Sequence, residues 1–234
     1  HYIQDIDTSN TADGKPIYYW INERDRLVPL DAAYVAVVNS TNIVVKSLNL
    51  GRNYQGVLFA YTNSSTIRDV TVSNNIEGIL LFNSHNNYVV NNLITGQRGF
   101  GIALSFYSSN NTVSNNVILK NRSTVFNETT DGVKLDLQAT ANKIIDNTIS
   151  DNINGIRALW SSANLIYHNN FINNTFHEYG ILSTNIWDNG AEGNYWTEYT
   201  GEDLNEDGIG DTPYVIDANN RDRYPLMNPY TPSD

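Results

Sequence analysis

Hydrophobic and polar positions between Tyr34 and Ile181 follow a pattern that repeats about every 22 residues, which is typical of a solenoid. Each copy starts at an anchor residue, which is glycine in every copy but the first, and apolar residues then occupy alternate positions, as at Ile79 and Leu81. The anchors are Tyr34, Gly56, Gly78, Gly101, Gly132, Gly155 and Gly180. An apolar period of two predicts a short strand after each anchor, with one face buried.

Two further sets of apolar residues recur in the copies, one about half a repeat after the anchor and one a few positions later. They are Val45, Ile67, Val89, Val113, Ile144 and Ile166, and then Leu50, Val72, Ile94, Ile118, Ile149 and Phe171. Strands this short, separated by Asn, Ser and Gly turns, suit neither helices nor a sandwich. Stacked coils of parallel strands would bury these side chains against the coils above and below. The sequence therefore predicts an all-β fold, a right-handed parallel β-helix of about seven coils, since parallel crossovers are strongly right-handed.

An asparagine recurs at one turn of the later coils. The column starts with Leu48 and Val70 and continues with Asn92, Asn116, Asn147 and Asn169. Asparagine side chains stacked along an axis can hydrogen-bond to one another and to the turn backbone, and asparagine tolerates the left-handed conformation of such turns. We interpret these residues as a structural ladder and not as catalytic groups.

The two ends of the chain depart from the repeat. Residues 1–33 contain the aromatic cluster Tyr18, Tyr19 and Trp20, which we interpret as part of an N-terminal cap with two short strands. The alternative is an aromatic surface that stacks on sugars. Residues 184–234 include Trp187 and Trp196, which suit a C-terminal cap over the last coil. The chain is thus predicted to be one domain, with coils over residues 34–183.

One coil is longer than the others, because the anchors Gly101 and Gly132 lie further apart in the sequence than any other neighbouring pair of anchors. The extra residues, near Asn121–Thr130, are expected to leave the stack as a polar loop.

Charged residues occupy the outward positions immediately after this loop. Lys134 and Arg157 should be neighbours on adjacent coils, flanked by Asp131 and Asp136. Such a cluster suits an acidic sugar, with a carboxylate acting as base, so these four residues are the candidate catalytic residues. The alternative is a surface ion-pair cluster, which contributes little stability.

An acidic loop near the C-terminus has the spacing of a calcium-binding loop. Side-chain oxygens alternate, a glycine follows them, and a backbone carbonyl and a further carboxylate come next: Asp203, Asn205, Asp207, Gly208, Ile209 and Asp211. Tyr214 stands where an EF-hand has its bidentate Glu, and no flanking helices are evident, so the loop is not an EF-hand. We predict a structural calcium site completed by Asp217, Glu202 or Glu198. A solvated acidic turn is the alternative.

Composition disfavours some partners of the protein and favours a location outside the cell. The formal charge of −11 and the pI of about 4.6 disfavour nucleic acids and anionic membranes. The chain has no cysteine and hence no disulfide, and no apolar run is long enough to enter a membrane. It begins at His1 and not at Met, which indicates a processed piece without its signal peptide. Six N-x-S/T sequons favour an exported glycoprotein: Asn39, Asn63, Asn110, Asn121, Asn127 and Asn173.

Histidine is scarce, with four residues in the chain. Asp146 and His168 fall in one column on successive coils and are expected to pair. His1 would bind copper through its amine and ring if it were a natural terminus.

The coil itself, as in GILLFNSHNNY and GIALSFYSSNNTV, resembles the NosD-like repeats, a β-helical family related to carbohydrate-binding and sugar-hydrolase domains. The head and the tail, GNYWTEYTGEDLNEDGIGDTPYVID, resemble the two ends of a module common in archaeal cell-surface proteins. The resemblance implies a right-handed parallel β-helix outside the membrane. It does not select an activity, because such relatives include a copper-processing periplasmic protein, carbohydrate-active enzymes and surface proteins. Absent cysteine and scarce His and Met disfavour copper.

Three functions are therefore kept open. The first is a non-enzymatic extracellular module of a surface layer, sheath, adhesin or filament, which associates with itself or with other cell-surface proteins. The second is a polysaccharide lyase, epimerase or hydrolase that uses Lys134, Asp136 and Arg157. The third is a glycan-binding domain without catalysis.

Overall fold

The computed structural model describes residues 2–121 and 130–232, and within them it contains strands and turns but no helix. Most of the predicted polar loop lies outside the described residues. The strands of the head and first coils are β1 (Thr11–Ala12), β2 (Lys15–Ile21), β3 (Arg24–Leu27), β4 (Tyr34–Val38), β5 (Thr41–Lys46), β6 (Asn49–Gly51), β7 (Gln55–Ala60), β8 (Thr66–Arg68) and β9 (Thr71–Ser73). Those of the middle are β10 (Glu77–Phe82), β11 (Tyr88–Val90), β12 (Leu93–Thr95), β13 (Phe100–Ser105), β14 (Thr112–Ser114), β15 (Val117–Leu119), β16 (Asp131–Asp136), β17 (Lys143–Ile145) and β18 (Thr148–Ser150). The last are β19 (Asn154–Leu159), β20 (Leu165–Tyr167), β21 (Asn170–Ile172), β22 (Phe176–Ile181), β23 (Tyr195–Trp196), β24 (Tyr214–Val215) and β25 (Arg221–Asp222).

These strands form the three walls of a β-solenoid of about seven turns, with about 22 residues per turn. Sheet 1 has nine strands in the order β1-β2-β4-β7-β10-β13-β16-β19-β22. Sheet 2 has seven in the order β20-β17-β14-β11-β8-β5-β3, and sheet 3 has seven in the order β23-β21-β18-β15-β12-β9-β6. Pairing within these sheets is parallel, apart from β1 with β2, so each coil contributes one strand to each wall. The predicted parallel β-helix is confirmed.

The interior is a single apolar column that runs the length of the solenoid. In sheet 1, Ile79 pairs in register with Val57 on one side and Ile102 on the other, and all three are fully buried. The predicted inward residues of sheets 2 and 3 are buried as well, including Ile144 and Ile149. The core is thus built by stacking equivalent residues of successive coils.

The predicted asparagine ladder is confirmed, and the structure contains two more. In the predicted ladder, Asn116 Oδ1 accepts bonds from the backbone N–H and the Nδ2 of Asn92, while Asn116 Nδ2 donates to Val89 O and Asn147 Oδ1. One further ladder contains Asn87, Asn111, Asn142, Asn164 and Asn185, and the other contains Asn75, Gln97, Asn121, Asn152 and Asn174. Buried turn backbone is therefore satisfied from coil to coil.

The last predicted anchor is wrong. Gly180 pairs with Ala158, and His177 takes the anchor position in the column of Gly155. A Cβ on Gly155 would lie 2.5 Å from the backbone oxygen of His177 and 3.1 Å from the Phe171 ring, so stacking against the next coil requires glycine there. No strand of sheet 1 follows β22 among the described residues, so that constraint ends at His177.

The outward columns of sheet 1 shift with this correction. Counting from Gly180 places Leu182 beside Arg157 and Thr184 beside Leu159, whereas the structure places Tyr179 and Ile181 there. The last strand of sheet 1 therefore presents two large apolar side chains outward, Tyr179 and Ile181.

Both predicted caps contain partial coils. In the head, β2 pairs in parallel with β4 and β3 with β5, so the stack begins inside residues 1–33, with three strands where we predicted two. In the tail, β23 pairs with β21. Trp187 and Trp196 are buried against the last coil, as a cap requires, and Trp196 stacks on Phe171 with ring centroids 4.3 Å apart.

Candidate functional site

The four candidate catalytic residues lie together on the outer face of sheet 1. Register places Lys134 directly beside Arg157, as predicted. Arg157 Nε and Nη2 each lie 2.8 Å from Asp131 Oδ2. Lys134 Nζ lies 2.7 Å from Asp136 Oδ2. The cluster consists of two ion pairs on adjacent strands.

Asp131 is the most buried carboxylate of this cluster, with 1% of its surface exposed. Its Oδ1 accepts a bond of 2.9 Å from Asn154 Nδ2, while Oδ2 is held by Arg157. Burial raises the pKa of Asp131, and Arg157 and Asn154 oppose that shift. Both carboxylate oxygens of Asp131 thus have hydrogen-bond partners within the cluster and its neighbour Asn154.

Before Lys134, the middle of this outer face is apolar and largely buried. Leu58, Leu80 and Ala103 occupy the column of Lys134 and are buried. Tyr2 lies over this part, since its ring is 5.0 Å from that of Phe82 and its backbone oxygen accepts a bond from Tyr19 Oη. The sequence carried a signal of this cover, because residues 79–82 (ILLF) are apolar on both faces of one strand.

Glu77 is a carboxylate on this face that the sequence analysis did not single out. It lies two strands before Asp131 in the same column, with Phe100 between them. Gln55 Nε2 donates to Glu77 Oε2 over 2.9 Å, and burial raises the pKa of Glu77. It is therefore a partnered group as well.

His85, His168 and His177, the histidines within the described residues, do not form a metal centre. His168 Nδ1 lies 3.4 Å from Asp146 Oδ1, which confirms the predicted pair, and His168 Nε2 lies 2.7 Å from Glu192 Oε2. Among residues 2–121 and 130–232, no three His, Cys, Asp or Glu side chains converge as a metal site. The sequence has no cysteine and one methionine, so the described residues do not fit copper. His1, the remaining copper candidate, lies outside the described residues.

The acidic loop forms a tight turn in which carboxylates accept bonds from backbone amides. Gly208 N donates to Asp203 Oδ2 over 2.8 Å, Ile209 N to Asp207 Oδ1 over 2.9 Å, and Leu204 N to Asp211 Oδ2 over 2.7 Å. Asn205 Nδ2 bonds to Asp207, and Gly208 has the positive φ expected of the sharp turn. The carboxylates do not converge as a metal site in the described chain, so calcium binding stays a prediction.

The sequons differ in access. Asn39, Asn110 and Asn173 are exposed and Asn63 is half-buried, whereas Asn127 lies outside the described residues. Asn121 is fully buried as a ladder member, and its Nδ2 donates to Asn152 Oδ1 over 3.0 Å. A glycan on Asn121 would break that bond, so the fold argues against modification there.

Exposed apolar side chains concentrate near the C-terminal end of sheet 1. They belong to β22 and to the turns that lead from sheet 1 to sheet 2: Phe106, Tyr107, Leu137, Trp160, Phe176, Tyr179, Ile181 and Leu182. The repeat pattern does not reveal this surface, because the last coil is shifted from its predicted register and the turns vary from coil to coil. Exposed apolar patches of this kind mark interaction surfaces.

Comparisons with known proteins identify the family to which the chain belongs. No curated protein matches it. A crystal structure of a double mutant of the periplasmic alginate epimerase AlgG is similar over 76% of this chain and 42% of that one, at 16% identity and a TM-score of 0.40. The chain thus spans less than half the length of that enzyme. None of the described residues forms a helix long and apolar enough to cross a membrane. The family model described as periplasmic copper-binding protein (NosD) matches residues 8–201, so the chain belongs to the NosD family.

Proposed function

We propose that this chain is a non-enzymatic β-helix module that works outside the cytoplasm in cell-surface structure, by self-association or adhesion. The observation that carries the proposal is the open end of sheet 1. Strand β22 pairs with β19 on one edge, and within the described residues no strand pairs with its other edge. An unpaired edge is a template for a strand of another chain.

The side chains on β22 support a contact at this edge. Phe176 is 57% exposed, Tyr179 47% and Ile181 39%. Glu178 occupies the inward position that Val or Ile holds in earlier coils, and an inward-pointing charge opposes unselective pairing of an edge strand. The strand is thus apolar on its outer face and carries one acidic residue toward the interior.

The opposite end of the same sheet offers a matching edge. β1 covers β2 at Lys15 and Pro16, and the described chain places no strand beside the remainder of β2. A second copy that set its β2 against β22 would continue the parallel sheet by one coil. Such a head-to-tail contact is heterologous, and repetition of it builds a filament.

The charged cluster supports a non-catalytic role. Asp131 is paired with Arg157 and Asp136 with Lys134, so each charged side chain of the candidate catalytic set already has a counter-ion within the set. The family description names a periplasmic protein, which supports a location outside the cytoplasm.

The double variant Tyr179→Lys/Ile181→Lys is expected to abolish self-association. Wild-type protein should show a weight-average mass that rises with concentration from micromolar to millimolar in sedimentation equilibrium. The variant should stay monomeric, because two lysines on an edge strand oppose pairing with another strand.

Tyr88→Lys is the matched control, since Tyr88 is 54% exposed in the middle of sheet 2, away from the open end. It should associate like the wild type. A wild-type protein that remains monomeric up to millimolar concentration, or equal association of all three proteins, would show that β22 is not a contact surface.

Calcium is proposed as a structural ion of the acidic loop. Calcium at 100 times its Kd is expected to raise the free energy of unfolding by about 2.7 kcal/mol, because the ion binds the folded loop and not the unfolded chain. Titration calorimetry and thermal melts with calcium or with chelator measure this. Asp203→Asn and Asp207→Asn should weaken binding. Glu206→Gln, in the same loop at a position without a predicted ligand, should not. An unchanged melting midpoint without binding heat would remove calcium from this loop.

A further inference from the structure

Glu178 is an acidic residue at the end of an apolar column of the core. It lies on β22 in the inward column of sheet 1, whose earlier members are fully buried: Val35, Val57, Ile79, Ile102, Val133 and Ile156. Its carboxylate lies against Gly180, since a Cβ added to Gly180 would be 2.6 Å from Glu178 Oε1. The inward column of Gly180 contains Leu104 and Leu135 in earlier coils. The carboxylate thus occupies space that apolar side chains fill elsewhere.

The Glu178 carboxylate is half-buried without a counter-ion. Within residues 2–121 and 130–232 it forms no ion pair and accepts no hydrogen bond. The charged group that acts on it is another acid, Asp217, in the turn between β24 and β25. Tyr214 and Glu198 lie further into the same end of the core, where Glu198 acts on Tyr214 and on His177. Ionised Glu178 is therefore opposed both by burial and by a like charge.

A strand of a second copy on β22 would take the remaining water away from Glu178. In the head-to-tail arrangement proposed above, the columns of sheet 1 continue, so Tyr18 of the second copy would follow Glu178. Tyr18 Oη donates to Asp31 Oδ1 over 2.9 Å within its own copy and has no second proton to donate. An ionised carboxylate that loses water without gaining a donor is strongly disfavoured, whereas a neutral carboxyl group costs far less to bury.

The charged groups at the end of the head do not provide a free cation for Glu178. Arg26 lies over the ring of Trp20, 4.3 Å from its centroid, and pairs with Glu23 over 2.9 Å. Asp31, the acceptor of the Tyr18 hydroxyl, adds a further negative charge. The two ends would therefore bring acids together, and a proton on Glu178 would relieve part of that repulsion.

We propose that the proton on Glu178 regulates the contact at β22, so that copies associate while Glu178 is neutral and separate when it is ionised. This inference rests on the self-association proposed above and adds its control. Burial and the charge of Asp217 raise the pKa of Glu178 to about 7. About nine-tenths of this group is then protonated at pH 6 and about one-tenth at pH 8. Burial lowers the pKa of His177, the residue before it, so His177 stays mainly neutral over this range.

Sedimentation equilibrium at pH 6 and pH 8 tests the regulation. The Kd of wild-type self-association should be about tenfold higher at pH 8, because only the protonated tenth of Glu178 is competent there. Glu178→Gln, which is neutral at both pH values, should associate at pH 8 as tightly as at pH 6. Glu206→Gln removes one negative charge from an exposed position outside the contact and should keep the wild-type pH dependence. Salt at about 0.5 M screens the net charge of the chain and should leave these differences in place.

Urea unfolding of dilute protein reports on Glu178 without self-association. Since the pKa of Glu178 is raised in the folded state, its stabilising effect is complete below its ordinary pKa and is lost as the pH rises to about 7. The urea midpoint should therefore fall between pH 5 and pH 8 by more in the wild type than in Glu178→Gln.

The outcomes separate this inference from the contact itself. Wild-type association that is equal at pH 6 and pH 8, a pH dependence that persists in Glu178→Gln, or an equal fall of both urea midpoints would overturn the regulation and leave the contact at β22 in place. A wild type that is monomeric at both pH values would overturn the contact and its regulation together.

Discussion

Replacing Gly101 with alanine is expected to cost about 3 kcal/mol of the free energy of unfolding, since overpacking against fixed backbone is poorly relieved. A Cβ on Gly101 would lie 2.6 Å from the backbone oxygen of Gly132 and 2.6 Å from Ile118 Cγ2, and 3.0 Å from Asn121 Nδ2. None of these atoms can move freely, because one is in the next strand, one is in the core and one is in a ladder. The coil spacing must therefore open locally.

Thermal and urea unfolding followed by circular dichroism measure this loss, which corresponds to a melting temperature lower by about 6–12 °C for a chain of this size. Gly99→Ala is the matched control in the same coil. Its added Cβ would come no closer than 3.2 Å to the Ile76 backbone oxygen, and a small adjustment relieves that contact. Equal stability of the two variants would mean that the anchor glycines reflect turn preference and not close stacking.

The anchor glycines also explain which parts of the fold were predictable. Where a coil has neighbours on both sides, packing against both of them limits which residues each position accepts. The apolar period and the glycine spacing therefore predicted the register of these coils correctly. That is why the adjacency of Lys134 and Arg157, and the pairing of Asp146 with His168, followed from counting along the chain. Both pairs join residues on adjacent coils, which the repeat length relates directly.

Prediction failed where one neighbour is missing. The last coil has no sheet 1 strand above it among the described residues, so His177 replaces the anchor glycine and Gly180, further along the same strand, imitates it. The prediction for the head was wrong for a similar reason, since β2 has a parallel neighbour on one side only and the short antiparallel β1 on the other, and its irregular spacing hid a true coil. A coil that packs against one neighbour only accepts more residue types, so its sequence follows the repeat pattern less closely.

The candidate sites show a similar division. The charged cluster was found because its members replace apolar residues in regular columns of sheet 1. The exposed apolar turns at Tyr107 and Trp160 were missed because turn positions vary from coil to coil, and the exposure of these side chains is visible only in the structure. A stretch with aromatic residues at positions that asparagine occupies in sister coils is the signal that repeat comparison would have provided.

Asn116→Leu is expected to lower the free energy of unfolding by about 4 kcal/mol, because it leaves the buried Asn92 N–H without a partner, at about 1–3 kcal/mol, and removes three further hydrogen bonds of about 0.5–1.5 kcal/mol each. The Asn92 backbone N–H and Nδ2 lose their acceptor at 3.0 and 2.9 Å, and Val89 O and Asn147 Oδ1 each lose a donor at 2.9 Å. Leucine has a similar volume, so packing loss contributes little to the expected change.

Asn49→Leu is the control, since Asn49 is exposed on a strand of sheet 3, and it should change stability by less than about 0.5 kcal/mol. The competing explanation is that this column needs only a side chain of suitable size, because its first two members are Leu48 and Val70, which pack in the apolar core. If Asn116→Leu unfolds at the same urea concentration as Asn49→Leu, the column needs only a side chain of that size. If Asn116→Leu unfolds at a much lower urea concentration while Val70→Asn does not, the hydrogen-bonded chain of amides holds successive coils in register. The ladder can then begin at any coil whose asparagine bonds to the asparagine of the next coil.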